Sequence, residues 1–209
     1  MDKMEISKDI KTANTQLFEI CQRAIEEENI AVQATFIFTI IDARDGKTKI
    51  MTHVLDEHEE FAHKEEVAKI FALRLAAAKK EGIILSVEHV TMLSEAYMST
   101  IKKSEIKGKD ISTAYENIHK QFSDGERLRP SKDPNSVDVL IVASMDKNEK
   151  VIISTREIEA QIRNDGEIIR KLSTTKKDSN NELTNINSKE DVRATALEEF
   201  WDTYKKMTA

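Results

Sequence analysis

The feature that most constrains the fold is an apolar, strand-like run at 31–42. Phe36 and Phe38 point to one side of an extended chain, while Ile37 and Ile41 point to the other. A strand that is apolar on both faces is typical of the centre of a sheet that is covered on both sides. The sequence therefore predicts a central strand with packing elements above and below it.

Helical and strand-like patterns alternate along the rest of the chain. We predict helices at 7–28, 57–80, 110–122 and 191–206, and strands at 31–42, 49–55, 83–93, 137–145, 150–158 and 168–172. The order α-β-β-α-β-α-β-β-β-α indicates an α+β fold. Its sheet is expected to be mixed but largely antiparallel, with five to six strands and packing helices.

Composition divides the chain into one domain and a tethered helix. We assign residues 1–172 to a single α+β domain, in which 102–129 is a helical insertion. Residues 173–189 are rich in serine, threonine, asparagine and lysine, as flexible linkers are. Residues 190–209 then form a C-terminal amphipathic helix.

Charge and cysteine content limit the expected partners and compartment. The formal net charge is −6 and the basic residues are dispersed, so we expect no nucleic-acid partner. Cys21, the single cysteine, suits a reducing cytoplasm and is expected to be buried rather than catalytic. No apolar run approaches the ~20 residues that cross a bilayer, so we predict no membrane contact. We expect no cofactor, because no glycine-rich phosphate loop is present.

Two short segments carry a resemblance to a family. Residues 94–97 read Ser-Glu-Ala-Tyr at the end of the third predicted strand, and residues 130–134 read Pro-Ser-x-x-Pro before the fourth. The chain resembles a family of uncharacterised prokaryotic proteins over roughly 17–172. Its members carry a Ser-Glu-Ala-Trp-type strand ending, so Tyr97 stands where tryptophan is expected. The resemblance implies a shared fold and a site candidate, but no activity. The bare order of elements also resembles roadblock/longin and profilin-like domains.

The same two segments carry the candidate site. If they meet in space, their polar side chains would line a pocket in which carboxyl groups act as acid and base and cations bind an anion. The acid/base candidates are Glu95 and Asp133, and the ligand-binding candidates are Tyr97, Arg129, Ser131 and Lys132. In the structural alternative, which is the more common role, Glu95 pairs with a backbone group of a loop.

A histidine-containing run at the start of the second helix is the densest metal-capable segment. His58 and His63 are five residues apart, about 140° around a helix, so they do not share a face. Glu59 and His63 have the better spacing of four. An acidic first turn suits the helix dipole without a metal. We therefore predict no metal site and keep these three residues as weak candidates.

The C-terminal helix is the strongest interaction feature of the sequence. Phe200, Trp201 and Tyr204 belong to a broad apolar face that must be covered, either by the chain's own sheet or by a partner subunit. The sequence leaves both alternatives open.

These observations favour a non-enzymatic binding or scaffold module of unknown ligand. We expect it to be a homodimer, with self-association or a protein partner engaged through the C-terminal helix. The alternative is a small hydrolase-type enzyme that uses Glu95 and Asp133 as acid/base groups. The sequence favours the first interpretation because no catalytic signature is present.

Overall fold

The computed structural model describes residues 6–56, 63–98, 137–162, 166, 168–173 and 192–209. In chain order these residues form α1 (Ile10–Glu26), β1 (Thr35–Asp42), β2 (Thr48–Val54), α2 (Lys64–Lys80), β3 (Ile84–Met98), β4 (Val137–Asp146), β5 (Val151–Ile162), β6 (Ile168–Leu172) and α3 (Val192–Thr208). The predicted α+β class is confirmed, and these elements follow the predicted order. The predicted helix at 110–122 lies outside the described residues, as does the predicted linker beyond Ser173.

One six-stranded sheet has the order β2-β1-β3-β4-β5-β6. Each neighbouring pair of strands is antiparallel, so the described sheet is antiparallel rather than mixed. β1 lies between β2 and β3, and Phe36 and Phe38 are fully buried on one of its faces. The two-faced apolar pattern of this strand thus reflects an interior position in the sheet.

β3 is longer than predicted. We expected a strand at 83–93 with Ser94 to Met98 following it, but the strand continues to Met98. Each residue from Ser94 to Met98 has a partner in β4, from Ile141 back to Val137. Glu95 therefore belongs to a strand that is paired on its β4 side, because ladder hydrogen bonds outweigh the polar composition of this segment.

Helices cover both faces of the sheet. α2 and α3 pack on one face, over a core that includes Phe38, Leu75, Val90 and Phe200. α1 packs on the other face, where a second core contains Leu17, Cys21, Leu93, Leu140 and Val142. This layering follows from the apolar stripe of each helix, which must be buried against a sheet.

The sheet curls around α1. The carboxylate of Glu95 on β3 pairs with the guanidinium of Arg170 on β6, although these strands lie three positions apart in the sheet. In a flat sheet that separation would be about 14 Å, so the sheet must bend to bring the two side chains together. The end of α1 holds the curled strand, because Glu26 Oε1 accepts a hydrogen bond of 3.0 Å from the Leu172 N–H.

Candidate functional site

The carboxylate of Glu95 is bound by protein groups on both of its oxygens. Oε1 accepts a hydrogen bond of 2.7 Å from the backbone N–H of Val32. Oε2 accepts one from Arg170. The Glu95 side chain is 19% exposed and that of Arg170 is 20% exposed, so the pair is largely screened from water. This arrangement is that of a structural anchor, which fixes the segment after α1 and β6 onto β3.

The other residues of the predicted polar pocket are placed as follows. Tyr97 lies in β3, where its backbone is opposite Asp138 of β4. The second predicted segment, with Arg129, Ser131, Lys132 and Asp133, lies outside the described residues. Among described residues, the groups that bond to the Glu95 carboxylate are Val32 and Arg170, and the predicted meeting of the two segments stays a prediction.

Of the three metal-ligand candidates near the start of α2, only His63 lies within the described residues. His63 occupies the N-cap position of α2 without a side-chain capping hydrogen bond, and its Nδ1 atom lies 3.1 Å from a carboxylate oxygen of Glu66. His58 and Glu59 lie outside the described residues. Within the part of the chain that is described, no three side chains of metal-ligand type are clustered.

The apolar face of the terminal helix is covered by the chain itself. Phe200 is fully buried, with its ring centroid 5.4 Å from that of Phe38 in β1. The indole N–H of Trp201 donates a hydrogen bond of 3.2 Å to the Met145 carbonyl, and Tyr204 is buried beside it. In this structure the three predicted interaction residues are therefore part of the core.

The single cysteine is a buried thiol whose pKa is raised. Burial, with a smaller contribution from the charge of Glu95, raises the pKa of Cys21 to about 11. A thiol of this kind stays protonated near neutral pH and is a poor nucleophile.

A groove of about 460 Å³ lies between α1 and β5. α1 forms one wall and the first half of β5 forms the other. The lining residues are Lys11, Asn14, Thr15, Phe18, Glu19 and Gln22 from α1, and Ile152, Ile153, Ser154, Thr155 and Arg156 from β5. A volume of this size lies within the range of pockets that take small ligands or short peptide segments.

The groove takes in the edge of β5 as well as the face that carries Ser154 and Arg156. Successive side chains of a strand point to opposite faces, so a pocket on one face would be lined by alternate residues. Here the five consecutive residues 152–156 all line the groove. The main chain of β5 therefore contributes to this wall, together with the side chains of Ser154 and Arg156.

The edge of β5 is covered along only part of its length by β6. β6 pairs with β5 from Ile158 to Ile162, and one further hydrogen bond of 2.9 Å joins the Ser173 N–H to the Glu157 carbonyl. From Val151 to Arg156, no strand of the described residues pairs with β5 on this side. The groove thus occupies the place that a longer β6 would fill.

The backbone groups that face this open edge can be identified from the pairing. The Glu157 carbonyl points towards β6, where it accepts the hydrogen bond from Ser173. In an antiparallel ladder, alternate residues direct both N–H and C=O to the same side. The N–H and C=O groups of Ile153 and Thr155, which line the groove, therefore point away from β4 and into it.

A buried polar network fixes the distance between the two walls. The Asn14 side-chain amide donates to the Val142 carbonyl (3.1 Å) and to Ser144 Oγ (3.0 Å). Its Oδ1 atom accepts a hydrogen bond of 2.5 Å from Ser154 Oγ. Asn14 is 1% exposed, so these bonds replace water and hold α1 beside β5 in one position.

An arginine and an aromatic ring close one end of the groove. The Arg156 guanidinium carbon lies 5.1 Å from the centre of the Phe18 ring, in a cation–π contact. Arg156 is exposed, and it makes no salt bridge with the described residues.

The sequence contains a signal for the α1 wall but not for the open edge. Asn14 falls on the buried stripe of α1, between Ile10 and Leu17, so its spacing marks it as an interior polar residue. The edge is open because β6 pairs with β5 only from Ile158 onwards. No local pattern in β5 or β6 specifies where along β5 this pairing starts.

Comparison with known proteins yields no match to a family model, a curated protein or a solved structure. The resemblance to uncharacterised prokaryotic proteins therefore stays a prediction. Within the described residues, no helix combines the length and apolar character that a membrane span requires.

Proposed function

We propose that this protein is a non-enzymatic binding module that takes an extended polypeptide segment as an added strand on the edge of β5. The observation that carries the proposal is the groove lined by five consecutive residues of β5. An unpaired strand edge is a template for a further strand, and the main-chain hydrogen bonds supply affinity without a catalytic group. The single cysteine suits a reducing cytoplasm as the place where the module acts.

The hydrolase alternative has less support. It requires Glu95 as an acid/base group in contact with substrate, but both carboxylate oxygens accept hydrogen bonds from Val32 and Arg170. A general acid or base must reach the reacting proton, and an oxygen already committed to an ion pair is poorly placed for this. The groove residues are also separate from those that contact Glu95.

Blocking the edge tests the binding proposal. Proline at position 155 removes an N–H that points into the groove while leaving the bonds between β4 and β5 in place. The probe is a dye-labelled, capped hexapeptide that alternates valine with glutamine. We expect Thr155→Pro to weaken its binding at least about tenfold in fluorescence anisotropy, because a hydrogen bond is lost and the ring occupies the edge.

Thr155→Ala is the matched control, since it keeps the backbone N–H and should bind as the unchanged protein does. Circular dichroism checks that both variants are folded. Equal binding by the proline variant, or no binding by any folded form, would show that this edge is not a strand-addition site.

Self-association through the opposite edge of the sheet is the second candidate function, and it retains the expected homodimer. β2 is the terminal strand of the sheet on that side, and it exposes Ile50 and Val54 at 40% and 51%. Exposed apolar side chains on an edge strand favour pairing with a second copy about a two-fold axis.

The mass of the full chain in light scattering tests the homodimer. If the chain is a dimer through β2, Ile50→Lys should yield a monomer, because each subunit would place a charged side chain in the apolar interface. Ile83→Lys, at an isoleucine that is 54% exposed outside β2, should leave the dimer intact. If the unchanged chain is a monomer, self-association through β2 is contradicted.

A further inference from the structure

A group of exposed aliphatic side chains lies at the end of the molecule where α1 ends. Ile162 and Ile168 are opposite each other in the β5–β6 pair, so their side chains share one face of the sheet. They are 77% and 57% exposed, and Ile30, in the segment after α1, is 50% exposed. We call these three residues the tip patch. Isolated exposed isoleucines are ordinary, but a group of them is typical of an interaction surface.

Backbone hydrogen bonds hold the tip patch in place. The side-chain amide of Asn29 donates a hydrogen bond of 3.1 Å to the Ile168 carbonyl, which joins the segment after α1 to β6. The Ile30 N–H donates one of 3.0 Å to the Ala24 carbonyl of α1. The exposure of these isoleucines therefore belongs to the folded arrangement of α1, β5 and β6.

The main chain of β6 beside the tip patch is already bonded. β6 is the last strand of the described sheet, so its outer edge faces no further strand of the described residues. On that edge the Ile168 carbonyl accepts the hydrogen bond from Asn29, and the Leu172 N–H donates to Glu26. A ligand of the tip patch would therefore contact side chains rather than add a strand. A helix suits this requirement, because its main-chain groups are bonded within it.

The charges around the tip patch are mainly acidic. Glu27 and Glu28 directly follow α1, both are exposed, and neither makes a salt bridge with the described residues. Arg23 is an exposed cation one turn earlier, whereas the charge of Arg170 is already paired within the fold. Residues 163–167 add one arginine and two acidic residues in sequence. This excess of negative charge attracts a cationic ligand and repels the same surface of a second copy.

We propose that the tip patch binds the apolar face of an amphipathic helix, rich in lysine or arginine, from a partner protein. Such a helix presents apolar side chains three and four residues apart on one face, and its cations would lie beside Glu27 and Glu28. The proposal is independent of strand addition on β5, because none of these residues lines the groove.

Three labelled helical peptides, each about 15 residues long, test this inference by fluorescence anisotropy with the full chain. Each carries leucine at helical spacing on one face, and its other face carries lysine, glutamine or glutamate. We expect the lysine peptide to bind about threefold more tightly than the glutamine peptide, as exposed ion pairs allow, and the glutamate peptide to bind least. Raising the salt concentration should reduce this preference.

Substitution of an isoleucine assigns the binding to the tip patch. Ile162→Gln should weaken binding of the lysine peptide at least about fivefold, because an exposed apolar side chain that the peptide would bury is lost. Ile83→Gln is the matched control and should bind as the unchanged protein does. Ile83 is 54% exposed and precedes β3, whereas the tip patch lies towards the other end of β3, at Met98. Circular dichroism checks that both variants are folded.

Substitution of a glutamate assigns the charge preference. Glu27 and Glu81 occupy the same position, the C-cap, in α1 and α2. Glu27→Gln should reduce the lysine-to-glutamine ratio of affinities to below about twofold, because one of the two acidic partners is lost. Glu81→Gln should leave this ratio unchanged.

Several results would overturn the proposal. They are equal binding of the lysine peptide by folded Ile162→Gln, a glutamate peptide that binds as tightly as the lysine peptide, and no binding at a protein concentration of about 1 mM. If light scattering shows a dimer that Ile162→Gln converts to a monomer, a second copy covers the tip patch instead. Binding to phosphatidylcholine vesicles that Ile162→Gln abolishes would assign the tip patch to a lipid surface and would likewise contradict a helical partner.

Discussion

At the scale of single residues, Glu95 shows how a candidate catalytic group becomes an anchor. Its position after a predicted strand end made it a candidate acid/base group, but in the structure its two carboxylate oxygens accept hydrogen bonds from Val32 and Arg170. Glu95→Gln should lower the free energy of unfolding by about 1–3 kcal/mol, because the charged partner of Arg170 is lost in a largely screened position. Urea unfolding measures the change.

A double-mutant cycle with Arg170→Gln provides the control for this prediction. The two substitutions should be clearly non-additive, since each removes the same ion pair. An unchanged stability in Glu95→Gln would contradict the structural role and restore Glu95 as a candidate functional residue.

His89 is a second residue whose buried position has a measurable consequence. It is fully buried in β3, and its Nε2 atom donates to the Ser7 carbonyl at 2.9 Å. Burial lowers the pKa of His89, and this effect outweighs the hydrogen bond to Ser7, which raises it. The folded chain therefore resists protonation at a position where the unfolded chain binds a proton near pH 6.5.

The sign of the resulting pH dependence follows from proton linkage. Between the lowered pKa of His89 in the folded chain and about pH 6.5, the unfolded state binds more protons than the folded state does. The stability that neutral His89 contributes is therefore present above this range and declines as the pH falls through it. Urea unfolding from pH 7 to pH 5 should show a steeper loss in the unchanged protein than in His89→Gln. Parallel curves for the two proteins would contradict this account.

At the scale of elements, α3 is a component of the core rather than a separate arm. Trp201 is 1% exposed and lies against β4 through its bond to Met145. Trp201→Ala should destabilise the fold by about 3–5 kcal/mol, as large-to-small substitutions in a core do. Trp201→Phe keeps most of the ring volume and should cost clearly less. A loss below about 1 kcal/mol in thermal unfolding of the alanine variant would indicate that α3 is not part of this core.

The elements themselves could largely be predicted from sequence because each has a local signal. The helix predicted at 7–28 corresponds to α1, and the two-faced apolar strand predicted at 31–42 corresponds to β1. The end of β3 was predicted too early, since pairing with β4 continues through polar residues. The side on which α3 docks could not be predicted, because its apolar face fits either the same chain or a partner equally well.

At the scale of the whole molecule, the candidate site is a consequence of sheet geometry. The groove exists because the curled sheet wraps around α1 while β6 covers only the second half of β5. Both conditions depend on register between strands that are distant from α1 in sequence. Sequence patterns specify which face of a strand is buried, but they do not specify how far an edge strand extends along its neighbour.

Amide hydrogen exchange of the full chain shows whether the edge of β5 is unpaired along the groove. The amides of Ile152 and Ser154 point to β4 and should exchange slowly, whereas those of Ile153 and Thr155 point into the groove and should exchange quickly. We therefore expect slow and fast amides to alternate along these four residues. Slow exchange at all four would contradict an open edge, because the edge would then already be paired.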